Sequence, residues 1–245
     1  MKPFAIVSTL CIALSLAACG SKDQTNSSVA AAPVAGVAAP AGKKWSEIVA
    51  VTPEGGFVMG NPNASVKILE FGSFTCSHCK EFSETSTAER NALVDTGKMS
   101  FEYRTFVRDP LDIAVALLAR CSGPDAFFPL TEQLFTNQAD MITKVQAMGE
   151  APYAAAINKP VTERFVALAQ AAGLIDFVKQ RGVPEAKAKQ CLADGAQVEA
   201  TVKQVQADTT TYNIEGTPTL VMNGQVIPEG GSWPAMRAKL KEAGI

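Results

Sequence analysis

The sequence holds a single histidine, His78, and that scarcity closes off several chemistries at once. A structural zinc site takes four ligands, usually from two close pairs. Cys76, His78 and Cys79 could supply three, but there is no second pair and no second histidine to complete the set. Covalent haem attachment needs histidine directly after the second cysteine of Cys-x-x-Cys. Lys80 stands there instead. Basic excess is also missing: 22 Lys and Arg face 24 Asp and Glu, for a net charge of −2. Nucleic-acid binding usually shows as a basic face, so no nucleic-acid partner is expected. The chain has no internal repeat and no obvious dimerisation segment, which favours a monomer. Its N-terminal apolar run, Phe4 to Ala18, has 15 residues, against about 20 for a membrane-spanning helix.

That run reads instead as an export signal. It follows Lys2 and ends "LAAC", Leu16 to Cys19. The tetrapeptide resembles the lipobox of bacterial lipoproteins, in which cleavage precedes the cysteine and that cysteine takes a lipid. Ordinary cleavage after Ala18 with Cys19 left free is the alternative. Gly20, rather than Asp, resembles the lipoproteins sent on to an outer membrane. Export implies a compartment in which disulfides persist. Residues 19–43 are rich in Ala, Pro, Gly and Ser and read as a disordered tether. About 24 such residues would reach roughly 25–30 Å.

The rest is long enough for one large domain, and a hydrophobic content of 47% can supply its core. Two short strands are expected around Pro53-Glu54-Gly55-Gly56, then a strand through "ASVKILEFGSF". A helix should run from Cys76 to about Asp95, with Gly97 as its stop. "KMSFEYRTFV" gives the next strand. From Asp109 to about Gln206 the pattern turns helical, with Leu111, Ala114, Val115 and Leu118 on one face. Five or so helices fit there, the last running through "AQVEATVKQVQADTTTY". Asn223-Gly224 between apolar runs signals a hairpin, because a type I′ turn needs positive φ at both central residues. A final helix spans about Trp233 to Ala243. The expected fold class is α/β, a thioredoxin-like fold with an inserted all-helical domain. Its boundaries are 44–108, 109–206 for the insertion, and 207–245, after the signal 1–18.

The chemistry centres on "FTCSHCKEF". Cys76 and Cys79 lie where a strand meets a helix N-terminus, whose free N–H groups and partial positive charge favour a thiolate. A cysteine so placed can have a pKa of roughly 3.5–7.5. Stabilising the thiolate stabilises the reduced form and makes the disulfide more oxidising. His78 could add positive charge or a hydrogen bond. Cys79, one turn in, would be the buried resolving thiol. A purely structural Cys76–Cys79 disulfide is the bland alternative, and its very small loop would stabilise little. No cofactor is needed.

"LEFGSFTCSHCKEF" resembles the active-site segment of the DsbA family of thiol-disulfide oxidoreductases, over roughly Lys44 to Ile245. The resemblance implies a thioredoxin domain with a helical insertion. It implies a cis-proline loop at Thr217-Pro218 that faces the cysteines and binds the substrate's extended backbone. Glu70 matches the family's buried acid, which assists proton transfer at the resolving cysteine; an exposed strand carboxylate is the alternative. Two departures stand out. Ser77-His78 replaces the Pro-His of the best-known oxidases, and Thr217 resembles the disulfide isomerases.

Of the remaining cysteines, Cys11 leaves with the signal and Cys19 takes the lipid. Cys121 and Cys191, both in expected helices of the insertion, are read as a structural disulfide closing a loop of about 70 residues; two buried free thiols are the alternative. The leading expectation is a periplasmic, lipid-anchored oxidase of reduced exported proteins, regenerated by a membrane redox partner. Isomerisation or reduction comes second. A non-catalytic, chaperone-like module is the rival from another class, and function surviving replacement of both cysteines by serine would favour it.

Overall fold

A computed structural model describes residues 1, 35–228 and 231–245. The export signal beyond Met1, the lipid cysteine Cys19, and the tether up to residue 34 lie outside the described residues. The tether's last part lies against the domain. Val37 donates its N–H to the Thr96 carbonyl at 3.1 Å and accepts the Trp45 indole N–H at 2.7 Å. The stretch read as disordered therefore ends several residues before 43, because Trp45 is buried and its N–H needs an acceptor.

Six strands form one sheet: β1 (Val49–Val51), β2 (Phe57–Gly60), β3 (Val66–Gly72), β4 (Met99–Thr105), β5 (Thr219–Met222) and β6 (Gln225–Ile227). Their order is β1-β2-β4-β3-β5-β6. Only β3 and β4 are parallel, joined across helix α1 (Ser77–Asp95). β3 sits between β4 and β5, and six of its seven residues are buried, which explains its nearly continuous apolar run. Asn223 and Gly224 turn the β5–β6 hairpin at φ of 50° and 83°, as a type I′ turn requires.

Helix α1 buries Cys79, Phe82, Ser83, Ser86, Arg90 and Val94, a stripe of helical spacing. Its far side meets α10 (Trp233–Glu242), where Phe82 and Trp233 pack edge to face at 6.1 Å.

Between β4 and β5 stand eight helices, more than the five or so expected. They are α2 (Pro110–Cys121), α3 (Pro124–Thr136), α4 (Gln138–Ala147), α5 (Glu150–Ile157), α6 (Val161–Ala171), α7 (Leu174–Lys179), α8 (Glu185–Leu192) and α9 (Gly195–Tyr212). Several junctions are one or two residues long, so neighbouring helices merge in a periodicity reading. Helix α9 continues six residues past the boundary placed at 206. Helix α2 is buried on nearly every side, because it lies between the sheet and the other inserted helices. Asp109 caps it, accepting the Asp112 N–H at 2.9 Å, and Pro110 fills its first position.

The insertion and the sheet share one apolar core. Phe57 of β2 stacks on Phe127 of α3 at 3.7 Å, and Phe74 stacks on Phe135 at 5.1 Å. On the opposite face of the sheet, Leu69, Phe71, Ile214 and Val221 form a smaller cluster. Cys121 and Cys191 are joined as a disulfide between α2 and α8, with Cα atoms 6.0 Å apart. No helix among the described residues is long and apolar enough to cross a membrane.

Candidate active site

The segment between β3 and α1 has to leave the sheet and start a helix within four residues. Polar groups from the insertion hold it in place. The Asp112 carboxylate accepts the Ser73 hydroxyl at 2.5 Å, the Phe74 N–H at 2.8 Å and the Arg108 N–H at 3.0 Å. The Gln138 amide, at the start of α4, donates to the carbonyls of Phe74 and Cys76, both at 2.9 Å. Thr75 donates its hydroxyl to Asp109 at 2.6 Å. Ser73, Asp112 and Gln138 are all buried, so the bonds among them and the loop backbone are made away from competing water.

Cys76 is the N-cap of α1 and Cys79 its third residue. Neither is in a disulfide, and both are buried, Cys79 completely. The Cys76 thiol donates to the Thr217 carbonyl at 3.2 Å, across the loop whose Thr217–Pro218 peptide is cis. A hydrogen bond from the Cys79 thiol brings the Cys76 thiol down to about 4. The Thr217 side chain and the backbone N–H groups of Cys79 and His78 add to this, against the opposing effect of burial. Cys79 is shifted the other way. Burial pushes its thiol far up, its hydrogen bond to Cys76 and the Glu70 charge add to this, and the Ser73 N–H at 3.4 Å opposes. Two cysteines one helical turn apart thus differ in which one carries charge.

Glu70 lies on the core face of β3, in register with Tyr103 of β4 and Leu220 of β5. It is buried, and burial pushes its carboxyl up to about 8, with Arg90 lowering it and Cys76 raising it. Its Oε1 and the Tyr103 hydroxyl have no hydrogen-bond partner among the described residues. Gly72 makes their space. A Cβ there would stand 2.5 Å from the Tyr103 ring and 2.9 Å from both Glu70 Oε1 and the Tyr103 oxygen. Arg90, also buried, pairs with Glu132 of α3 at 2.8 Å and lies over the Phe101 ring.

His78 is placed differently from the sequence expectation. Its side chain is 77% exposed and lies 3.9 Å from Glu81, so the backbone N–H, not the imidazole, serves Cys76. Ser77 is also exposed. Thr217 and Pro218 line a groove of about 670 Å³ with Tyr212, Glu215, Val226 and Ile227. Sequence reasoning missed Ser73, Asp112 and Gln138, together with Gly72, Tyr103 and Arg90. Asp112 leaves a faint signal, a carboxylate in the first turn of a very apolar helix. Gln138 leaves none. No group of three or more potential metal-ligating side chains occurs among the described residues.

A helix-inserted thioredoxin sheet with a paired thiolate and buried thiol at a helix start is the architecture of a disulfide-exchange protein. The sequence matches the thioredoxin family over residues 52–242, and the chain belongs to that family, among its DsbA-like members. The crystal structure of a protein-disulfide isomerase from Novosphingobium aromaticivorans is 30% identical, with a TM-score of 0.71. The match covers 76% of this chain and 95% of that one. A Rickettsia bellii protein provisionally named a protein-disulfide oxidoreductase is 26% identical over 172 residues, 70% of this chain. The match spans only 58% of that protein, so this chain covers a little over half the length of such curated relatives. BdbD from Bacillus subtilis shares the fold, with a TM-score of 0.54 at 19% identity over 76% of this chain and 91% of its own.

Proposed function

We propose that this protein is a thiol:disulfide oxidoreductase and that its principal reaction is the oxidation of exported polypeptides. The observation that carries the reading is the opposed state of the two thiols: Cys76 brought down to about 4, Cys79 raised and fully buried. A substrate thiolate attacks Cys76 of the Cys76–Cys79 disulfide. The S–S bond breaks, and Cys79 leaves with the electron pair and takes up a proton, for which Glu70 is the buried acid whose charge acts on Cys79. A second substrate thiolate then attacks the substrate sulfur of the mixed disulfide, and Cys76 departs as a stable thiolate. The substrate dithiol loses two electrons and two protons; the enzyme disulfide gains both electrons, Cys79 takes one proton and the other goes to solvent. A low-pKa leaving group drives release in this direction. Thr217 and Pro218 would hold the substrate backbone beside Cys76.

The Thr217 before the proline and the likeness to a disulfide isomerase favour isomerisation or reduction as the second reading. The reduction potential of the Cys76–Cys79 pair, equilibrated against glutathione, separates the two. A potential well above the glutathione couple is expected for the oxidase. A potential at or below it would replace that reading with an isomerase or reductase. The lipobox-like "LAAC" further supports a periplasmic protein anchored through lipid on Cys19, with a membrane redox partner regenerating the disulfide. Incorporation of labelled fatty acid, abolished in Cys19→Ala, is the expected result; unlabelled protein would refute the anchor.

A further inference from the structure

The exchange reaction leaves one buried acid unused. Asp112, the third residue of α2, is 0% exposed, and its carboxylate takes two donors from the loop around Ser73 and a third, the Arg108 N–H, from the segment that leads into α2. Ser73 faces two ways. Its backbone N–H donates to Cys79 Sγ at 3.4 Å, and its hydroxyl oxygen lies 3.2 Å from the Thr75 hydroxyl, where either oxygen can donate. The Thr75 hydroxyl reaches Asp109 Oδ2 at 2.6 Å. Thr75 and Asp109 line an open groove of about 520 Å³. A continuous run of oxygens therefore leads from the groove through Asp109, Thr75 and Ser73 to Asp112, hydrogen-bonded throughout when one of the two end carboxylates carries a proton, and the Ser73 N–H links it to the resolving cysteine.

We propose that Asp112 is a second acid of the redox site, a positioning residue that exchanges a proton with solvent along Asp109, Thr75 and Ser73. Its charge state governs how Ser73 is held against Cys79. The proposal rests on the thiol-exchange reading above. A buried carboxylate is costly unless hydrogen-bonded, and three donors keep this one ionisable. Burial raises it to about 7; Ser73 and the N–H groups of Arg108 and Phe74 oppose, while Asp109 adds to the rise.

The charge acting directly on it is Asp109 at its own helix cap, while Tyr103 on β4 feels Asp112 together with Glu70, Cys76 and Cys79. Arg108 contributes only its N–H, its side chain being exposed. Protonating Asp112 removes an acceptor, and the Ser73 hydroxyl turns toward Thr75. Reduction of the disulfide places a thiolate on Cys76. That added negative charge favours the protonated acid, so near neutral pH Asp112 takes up a proton as the pair is reduced.

Two readouts on the purified protein test this. The reduced-minus-oxidised infrared difference spectrum near pH 7 is expected to show a gain in protonated-carboxyl absorption that Glu70→Gln retains and Asp112→Asn loses. The reduction potential should fall more steeply with pH between about 6 and 8 in the wild type than in Asp112→Asn. Identical slopes, or an infrared band that survives in Asp112→Asn, would overturn the proposal. The level of the potential, by contrast, tests only the oxidase reading, so the two can fail separately. Thr75→Val leaves Asp112 and its three donors in place and guards against misfolding of the first variant. It should slow relaxation of the carboxyl band after a pH jump, with Thr75→Ser restoring the rate. An unchanged rate in Thr75→Val would overturn the proton path.

Discussion

At the residue scale, the two active cysteines separate by environment, not by chemistry. Cys76 caps a helix and gathers hydrogen bonds that favour its thiolate; Cys79 points into the core, with nothing to offset its desolvation except one long N–H contact. This has a consequence for stability. Cys76 is lowered from the usual thiol range to about 4 in the folded reduced protein. Its contribution is complete above the unfolded thiol value of about 8.5 and is lost as pH falls through about 4. The raised Cys79 acts only above about 8.5, and proton uptake by the buried acids on reduction offsets part of the Cys76 slope near neutral pH. The reduced form should therefore lose stability relative to the oxidised form on acidification across that window, by up to about 1.4 kcal/mol per pH unit. Urea unfolding of both forms at several pH values checks this, and a constant difference would contradict it. The "Cys-x-x-Cys" spacing made the pair legible. The role of His78 was not, because a side chain's direction at a helix start depends on what packs beside it.

At the element scale, the active loop is held by helices distant in sequence. Asp112 lies 38 residues from Phe74, and Gln138 lies 64 from it. Polar residues inside a helical pattern look the same whether they face water or a buried loop, so periodicity could not select them. The disulfide joins α2, which carries Asp112, to α8, and closes a loop across 70 residues. In the chain-entropy account that is worth about 4 kcal/mol. Replacing Cys121 and Cys191 together by alanine should lower the unfolding free energy by about that amount and leave the potential of the Cys76–Cys79 pair near its original value. Denaturant unfolding and glutathione equilibration measure the two effects. A large shift in potential would mean that the disulfide, through α2, also sets the geometry of the active loop.

At the scale of the whole molecule, the insertion is not a separate body. One apolar cluster includes Phe57, Phe101 and Tyr103 of the sheet, and Phe127, Leu134 and Phe165 of the insertion. Buried Arg90 of α1 bridges the two parts through its pair with the half-buried Glu132 of α3. The insertion completes the core on one face of the sheet, so neither part can unfold without exposing the other. Calorimetric unfolding should give a single transition with equal calorimetric and van't Hoff enthalpies. Two resolved transitions would show that the shared core contributes less than its burial implies.

The secondary elements around the site, the hairpin at Asn223-Gly224, the placing of Cys76 and Cys79 at a helix start and the thioredoxin-like arrangement with a helical insertion were all legible in the residues. Those features rest on local periodicity, turn chemistry and short spacing, all of which act between near neighbours in the chain. Folding was needed to show that Glu70 is buried and not exposed, that Asp112 is buried behind the active loop, that the His78 imidazole points to solvent, and that Ser73, Thr75 and Gln138 tie the loop to the insertion. Charge state depends on desolvation and on hydrogen-bond partners, and here both are supplied by strands and helices that meet only when the chain is folded.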